Sequence, residues 1–283
     1  MSERADREHR DVDVGDGLWL HVTIAGAGPP LVLLHGFTGS TETWEPLHAS
    51  LGTACTIVAV DLPGHGRSTA PEDPSRYALP RFANDLERVL DVLALDRVTL
   101  LGYSMGARAA MHFAIQRPSR VAALVLESAS PGIGDEAERI QRAAADVALA
   151  ATIERDGIDA FVEQWEALPL WESQRRLSGV VRAGLTTQRR ANRPRGLANS
   201  LRGAGAAVEP TLDGRLSVLH VPSLLIAGGL DAKYVTRARA LERTMPNARL
   251  AIVPGAGHAV HLEEPAEFAA LVTRFLRGPS LAG

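Results

Sequence analysis

A single cysteine in 283 residues rules out an internal disulfide. Cys55 lies in an apolar, strand-like run, which suits a reducing cytosol, so a cytoplasmic location is expected. Lysine is equally scarce: Lys233 is the only one among 30 lysine and arginine residues. An Ala- and Arg-rich composition accounts for that count, so the positions of individual arginines carry more than their number. The formal net charge of -3 gives no case for nucleic acid or an acidic membrane surface as partner. No apolar run is long enough to span a bilayer. Residues 1–10 are polar and charged and lack the apolar centre of a signal peptide. The chain has no P-loop, no G-x-G-x-x-G in a dinucleotide-binding setting and no cluster with metal-ligand spacing. Neither a metal nor a cofactor is therefore expected. Nothing in the composition specifies an oligomeric state.

What remains is the composition of an ordinary globular protein, 46% hydrophobic and 22% charged, with enough chain for a core and an inserted cap. Continuous apolar runs mark strands buried on both faces: Leu31–Leu34, Thr56–Val60, Arg97–Leu101, Val121–Leu126, Leu224–Ala227 and Arg249–Val253. Gly17–Ile24 alternates and reads as an edge strand with its partner lost in the tail. Helical spacing occupies Glu42–Leu51, Phe82–Leu95, Ala107–Ala114 and Pro265–Leu276. Strands alternating with helices predict an α/β fold with a mostly parallel, doubly wound sheet. Between about Pro131 and Ala207 the strands stop, and an Ala-, Glu- and Arg-rich helical stretch intervenes. The expected organisation is a flexible tail over 1–12, a core over 13–130, a helical lid over 131–207 and the rest of the core over 208–283.

The chemistry centres on Gly102-Tyr103-Ser104-Met105-Gly106, a G-x-S-x-G stretch with a strand before it and a helix after it. Strand, sharp turn and helix are the setting of a nucleophile elbow, which strains the serine backbone and lifts the hydroxyl clear of the sheet. A serine needs an imidazole to take its proton. His258, in the glycine-rich turn after the last strand, is the better placed candidate, and His261 competes with it. The acid is Asp231, after the strand ending Ala227-Gly228, with Glu127 as rival. Asp231 has an alternative reading as a helix N-cap. Chain order is then Ser, Asp, His, as the elbow requires. An oxyanion needs two N–H donors, expected from Met105 and Phe37. His35 and His65 end strands and shape loops.

His35-Gly36-Phe37, Asp61-Leu62-Pro63-Gly64-His65-Gly66-Arg67-Ser68 and the elbow resemble the α/β-hydrolase superfamily over nearly the whole chain after the tail. A second set is narrower. Gly102–Arg108, Leu126–Gly132, Trp165–Leu170, Gln188–Asn192, Gly196–Gly203 and Gly257–His261 are similar to the menaquinone-pathway synthase family called MenH. That resemblance implies an α/β-hydrolase fold and a lyase that eliminates pyruvate from an enolpyruvyl-bearing cyclohexene polycarboxylate. It implies a small polycarboxylate substrate held by Arg108, Arg142 and Arg189, with Tyr103 and Trp165 as aromatic contacts. Arg139, Arg182 and Arg190 stand as alternatives, because lid helices are hard to register from one sequence. Guanidinium forks suit carboxylates, and Arg108 lies one turn past Ser104 on the face toward the site. A hydrolase of esters, lactones or C–C bonds would share the triad without needing the arginines. A binding module would need neither.

Overall fold

The apolar runs of the sequence become the centre of one eight-stranded sheet in the computed structural model, which describes residues 7–278. The strands are β1 (Glu8–Asp13), β2 (Trp19–Gly26), β3 (Pro30–Leu34), β4 (Thr56–Val60), β5 (Val98–Tyr103), β6 (Val121–Glu127), β7 (Ser223–Gly228) and β8 (Ala248–Val253). Their order is β1-β2-β4-β3-β5-β6-β7-β8. From β4 to β8 every pairing is parallel, while β1 and β2 run antiparallel to their neighbours. The strand order reverses between β3 and β5, so a crevice opens at their carboxyl ends, where open α/β sheets bind ligands.

Strand alternation divides the core in two. Val32 and Leu34 face one side, where α2 (Leu79–Val92) and α3 (Met105–Gln116) bring Phe82, Leu86, Met111 and Phe113. Leu31 and Leu33 face the other, against Trp44, Leu47 of α1 (Glu45–Leu51) and Phe268 and Val272 of α10 (Pro265–Leu276). Each large side chain buried this way contributes about 1.5–3 kcal/mol.

Two elements differ from the sequence reading. Residues 1–6 of the expected tail lie outside the described residues, but Glu8–Asp13 is strand β1, paired with β2 along its whole length. The edge strand is therefore β1, not β2. Its sequence, EHRDVD, buries only Val12, because an edge strand with most of its surface in water needs few apolar residues. Ala232–Thr244 forms α8, which buries only Ala238 and Leu241 and so shows little apolar periodicity.

Between β6 and β7 the chain is helical, with α4 (Glu136–Glu166), a 3-10 stretch (Pro169–Arg176), α5 (Gly179–Arg190) and α6 (Pro194–Ala204). Gly157 breaks α4 with φ +81°, a conformation that favours glycine. The insertion is fastened to the core through α6, where a Cβ on Gly196 or Gly203 would overlap the carbonyl oxygen of Gly64 or Pro74. Short helices α7 (Asp213–Leu216) and α9 (Val260–Glu263) complete the fold. Among the described residues no helix is long and apolar enough to cross a membrane.

Candidate active site

Ser104 occupies the turn between β5 and α3 with φ +53° and ψ -107°, a strained conformation for a residue bearing a side chain. Its backbone N–H donates to the Glu127 carbonyl at 2.9 Å, which pins the turn to β6. Glycines make the turn sterically feasible. A Cβ on Gly102 would overlap the Gly106 carbonyl, and one on Gly106 would overlap that of Leu34.

The Ser104 hydroxyl lies 3.1 Å from His258 Nε2, and His258 Nδ1 lies 2.7 Å from Asp231 Oδ2. An acidic partner on Nδ1 fixes the proton there, so Nε2 is free to accept from the serine. Asp231 does two jobs: its other oxygen accepts from the Tyr234 N–H at 3.2 Å and caps α8. One carboxylate thus caps α8 and reaches the imidazole at the same time. The histidine loop is held at its backbone. Ser128 donates its hydroxyl to the His258 carbonyl at 2.7 Å, and Glu263 accepts from the Gly257 N–H at 2.8 Å and the Ala259 N–H at 3.4 Å. Neither Ser128 nor Glu263 is legible as a site residue from sequence, since only the folded chain brings them to this loop.

The competing pair is accounted for elsewhere. Glu127 and His261 are fully buried and bind each other, with His261 Nδ1 2.8 Å from Glu127 Oε2. The His261 backbone N–H also donates to Glu127 at 3.0 Å. They brace α9 against β6, and Tyr103 packs between the two imidazoles, its ring centroid 4.7 Å from His261 and 5.4 Å from His258.

His35 and His65 shape the loops after β3 and β4. The Leu62 N–H donates to His35 Nε2 at 3.0 Å, and His65 Nδ1 donates to the Pro63 carbonyl at 3.1 Å. Asn192 of the helical insertion joins the same two loops, donating to the Thr38 carbonyl at 2.9 Å and accepting from the Gly66 N–H at 3.0 Å.

Burial pulls the His65 pKa down to about 4, burial likewise lowers His112 to about 4, and His35 is held well below its usual value by burial and by His65. Between these values and the unfolded value of about 6.5, the unfolded chain binds more protons than the folded one. Their stabilising contribution is therefore complete above about pH 6.5 and declines as pH falls, by about 1.4 kcal/mol per unit for each histidine. Asp61, Asp85 and Asp146, raised by burial, act in the opposite sense. Urea unfolding of the wild type and His65→Asn across pH 7 to 4 isolates one group. The wild type should lose more stability over this range than the variant, and parallel curves would refute the assignment.

A cavity of about 340 Å³ lies over Ser104. Phe37, Tyr103, Met105, Arg108, Arg142 and Trp165 all line it, so the structure brings both residues expected to offer oxyanion N–H groups and most of the expected binding set to one place. Arg108 is buried and donates to the Ala204 and Gly205 carbonyls at 2.6 and 3.1 Å, at the end of α6. Burial pulls its pKa down to about 10, so an anion nearby would relieve an uncomfortable charge. Arg142 pairs with Asp146 at 2.8 Å one turn along α4. The indole N–H groups of Trp165 and Trp171 are buried without a protein acceptor among the described residues. Both indoles line the same cavity.

Arg189 stands apart. It pairs with Glu166 at 2.8 Å, its guanidinium lies 5.2 Å from the centre of the Trp171 ring, and it lines a separate cavity between the 3-10 stretch and α5. Arg108 and Arg142 thus share the cavity over Ser104, while Arg189 lies on the other side of Trp171, which borders both cavities. Nor do the alternatives Arg139, Arg182 and Arg190 line the cavity above Ser104. Tyr234 and Arg237 of α8 line it instead, positions that no apolar stripe on α8 announces.

A strained serine between strand and helix, a histidine and an aspartate in this chain order, and a parallel sheet with a helical insertion define an α/β hydrolase. The chain belongs to that family: residues 29–265 match the family described as alpha/beta hydrolase fold. Within it the chain belongs with the 2-succinyl-6-hydroxy-2,4-cyclohexadiene-1-carboxylate synthases. A Bacillus subtilis (strain 168) protein provisionally given that name is 42% identical over 268 residues, covering 94% of this chain and 97% of that protein. The Serratia proteamaculans (strain 568) synthase is 32% identical, covering 89% and 94%. The structure of MenH from S. aureus superposes with a TM-score of 0.87 at 33% identity, covering 90% of this chain and 97% of that one.

Proposed function

We propose that this protein is a lyase of menaquinone biosynthesis. It eliminates pyruvate from 2-succinyl-5-enolpyruvyl-6-hydroxy-3-cyclohexene-1-carboxylate to give 2-succinyl-6-hydroxy-2,4-cyclohexadiene-1-carboxylate. The observation that carries the reading is the presence of Arg108 and Arg142 in the cavity that holds Ser104. A substrate with a carboxylate on its ring, succinyl and enolpyruvyl groups has use for both cations, whereas a neutral ester has use for neither.

Ser104, its proton drawn to His258 Nε2, acts as base on the carbon α to the succinyl ketone. The electrons of the broken C–H bond form an enolate, held by the Phe37 and Met105 N–H groups. As the enolate collapses, the ring double bond shifts and the bond to the enolpyruvyl oxygen breaks. The substrate proton stays on Ser104 as its restored hydroxyl, while the proton Ser104 gave up rests on His258, whose charge Asp231 offsets. His258 then returns that proton, and the departing enolate becomes pyruvate by protonation at carbon. No acyl-enzyme forms. The helices of 131–207 serve as the lid that shields the enolate from water, and the buried Cys55 thiol suits a reducing cytoplasm.

The test is a coupled assay in which the preceding pathway enzymes generate the substrate and pyruvate is read with lactate dehydrogenase. Pyruvate release that depends on this protein, with little turnover of a nitrophenyl ester, is the expected result. Efficient ester hydrolysis with no pyruvate would replace the lyase reading by a hydrolase.

A further inference from the structure

Three guanidiniums border the cavity above Ser104: Arg108, Arg142 and Arg237. The third comes from α8, the helix that Asp231 caps. Its guanidinium lies 5.2 Å from the centre of the Tyr234 ring, and that ring packs edge-on to His258 at 4.5 Å. The cation is thus one aromatic ring away from the imidazole that serves Ser104.

Its present partner is weak. Arg237 meets Glu138 of α4 at 3.3 Å through one N–H, and Lys233 competes for the same oxygen at 3.7 Å. The Glu138 side chain is 47% exposed, and a half-solvated pair of this kind is worth little. Arg237 itself is 19% exposed and leaves most of its fork unused. Arg189 is the reverse case, buried, ion-paired and outside this cavity. Among the described residues, the only carboxylate lining the cavity beside these cations is Asp146, which Arg142 already engages.

We infer that Arg237 binds a carboxylate of the substrate, so the core helix α8 supplies a cation of the site alongside those of the elbow helix and the inserted helices. This rests on the lyase reading above, with its polycarboxylate substrate. It also assigns a consequence to the position: triad acid and anion clamp ride on one rigid helix, so a bound carboxylate is registered against His258 independently of the lid helices. The rival reading is a latch, in which Arg237 only ties α8 to α4 through Glu138.

Arg237→Ala, Arg237→Lys and Glu138→Ala separate the two. Each is assayed for pyruvate release, and binding of tricarballylate, a plain tricarboxylate, is followed by the fluorescence of the cavity tryptophans. Arg237→Ala should lower kcat/KM and weaken tricarballylate binding by roughly ten- to a hundredfold. Arg237→Lys, keeping charge but not the fork, should fall between. Glu138→Ala should match the wild type or bind more tightly. A Glu138→Ala loss equal to that of Arg237→Ala makes the pair a latch and overturns the inference, as does an Arg237→Ala protein indistinguishable from wild type. Arg237-dependent tricarballylate binding without pyruvate release upholds the anion site and defeats the lyase reading. A wild type that neither binds nor reacts defeats both.

Discussion

Ser104→Ala is expected to give a folded protein whose pyruvate release has fallen by about a thousandfold or more. The hydroxyl is the group that meets His258 Nε2, at 3.1 Å, and it stands in the cavity where the acidic C–H of the substrate would lie. Alanine removes that oxygen and leaves the rest of the turn in place. The Ser104 N–H would still donate to Glu127, and the φ of +53° would still be imposed by the packing of Gly102 and Gly106. Thermal unfolding should therefore change little. Ser104→Gly is the informative companion. Glycine adopts this backbone without strain, so the protein should be equally inactive but more stable than the alanine variant by about 1 kcal/mol. Near-normal turnover in either variant would remove Ser104 from the reaction.

Arg108→Ala is expected to lower kcat/KM for the pathway substrate by about 2–5 kcal/mol, a factor of about thirty to several thousand. Two losses combine. A substrate carboxylate loses its buried cation, and the carbonyls of Ala204 and Gly205 lose the donors that join the end of α6 to the core. The second loss should also appear in the denaturation midpoint, since each stranded buried carbonyl costs about 1–3 kcal/mol. A small neutral ester separates the two effects. Its slow turnover senses misplacement of α6 but not a missing carboxylate partner. Equal losses on both substrates would reduce Arg108 to a structural part, and undiminished activity on the polycarboxylate would sink the lyase assignment.

The grouping of Ser104, His258 and Asp231 is legible in the sequence because its parts are encoded locally. Each residue sits in a turn just after a strand, the turns are marked by glycine, and parallel strands bring their carboxyl ends together whatever the details of packing. The arginines obeyed no such rule. Which way a helical residue points depends on which face of the helix is buried, and α5 buries only Arg189 along its length. With no apolar stripe to orient it, nothing in the sequence says that Trp171 will stand between Arg189 and the serine. The same lack of a stripe on α8 hid Arg237. Strand β1 cannot be placed within the tail from sequence because an edge exposed to water leaves almost no hydrophobic trace, and Ser128 and Glu263 are hidden because they act on the backbone of a distant loop.

The break at Gly157 also bears on how such a protein can change over evolutionary time. An unbroken helix transmits an inserted or deleted residue along its whole length as a rotation of about 100°. Here the segment before the break carries Arg142 and Asp146, and the segment after it carries Phe161 and Trp165, seated against Phe37. A length change at the break can re-aim the charged segment while the aromatic one keeps its seat. The chain thus has a place where the acid it accepts can drift without disturbing the proton relay beneath.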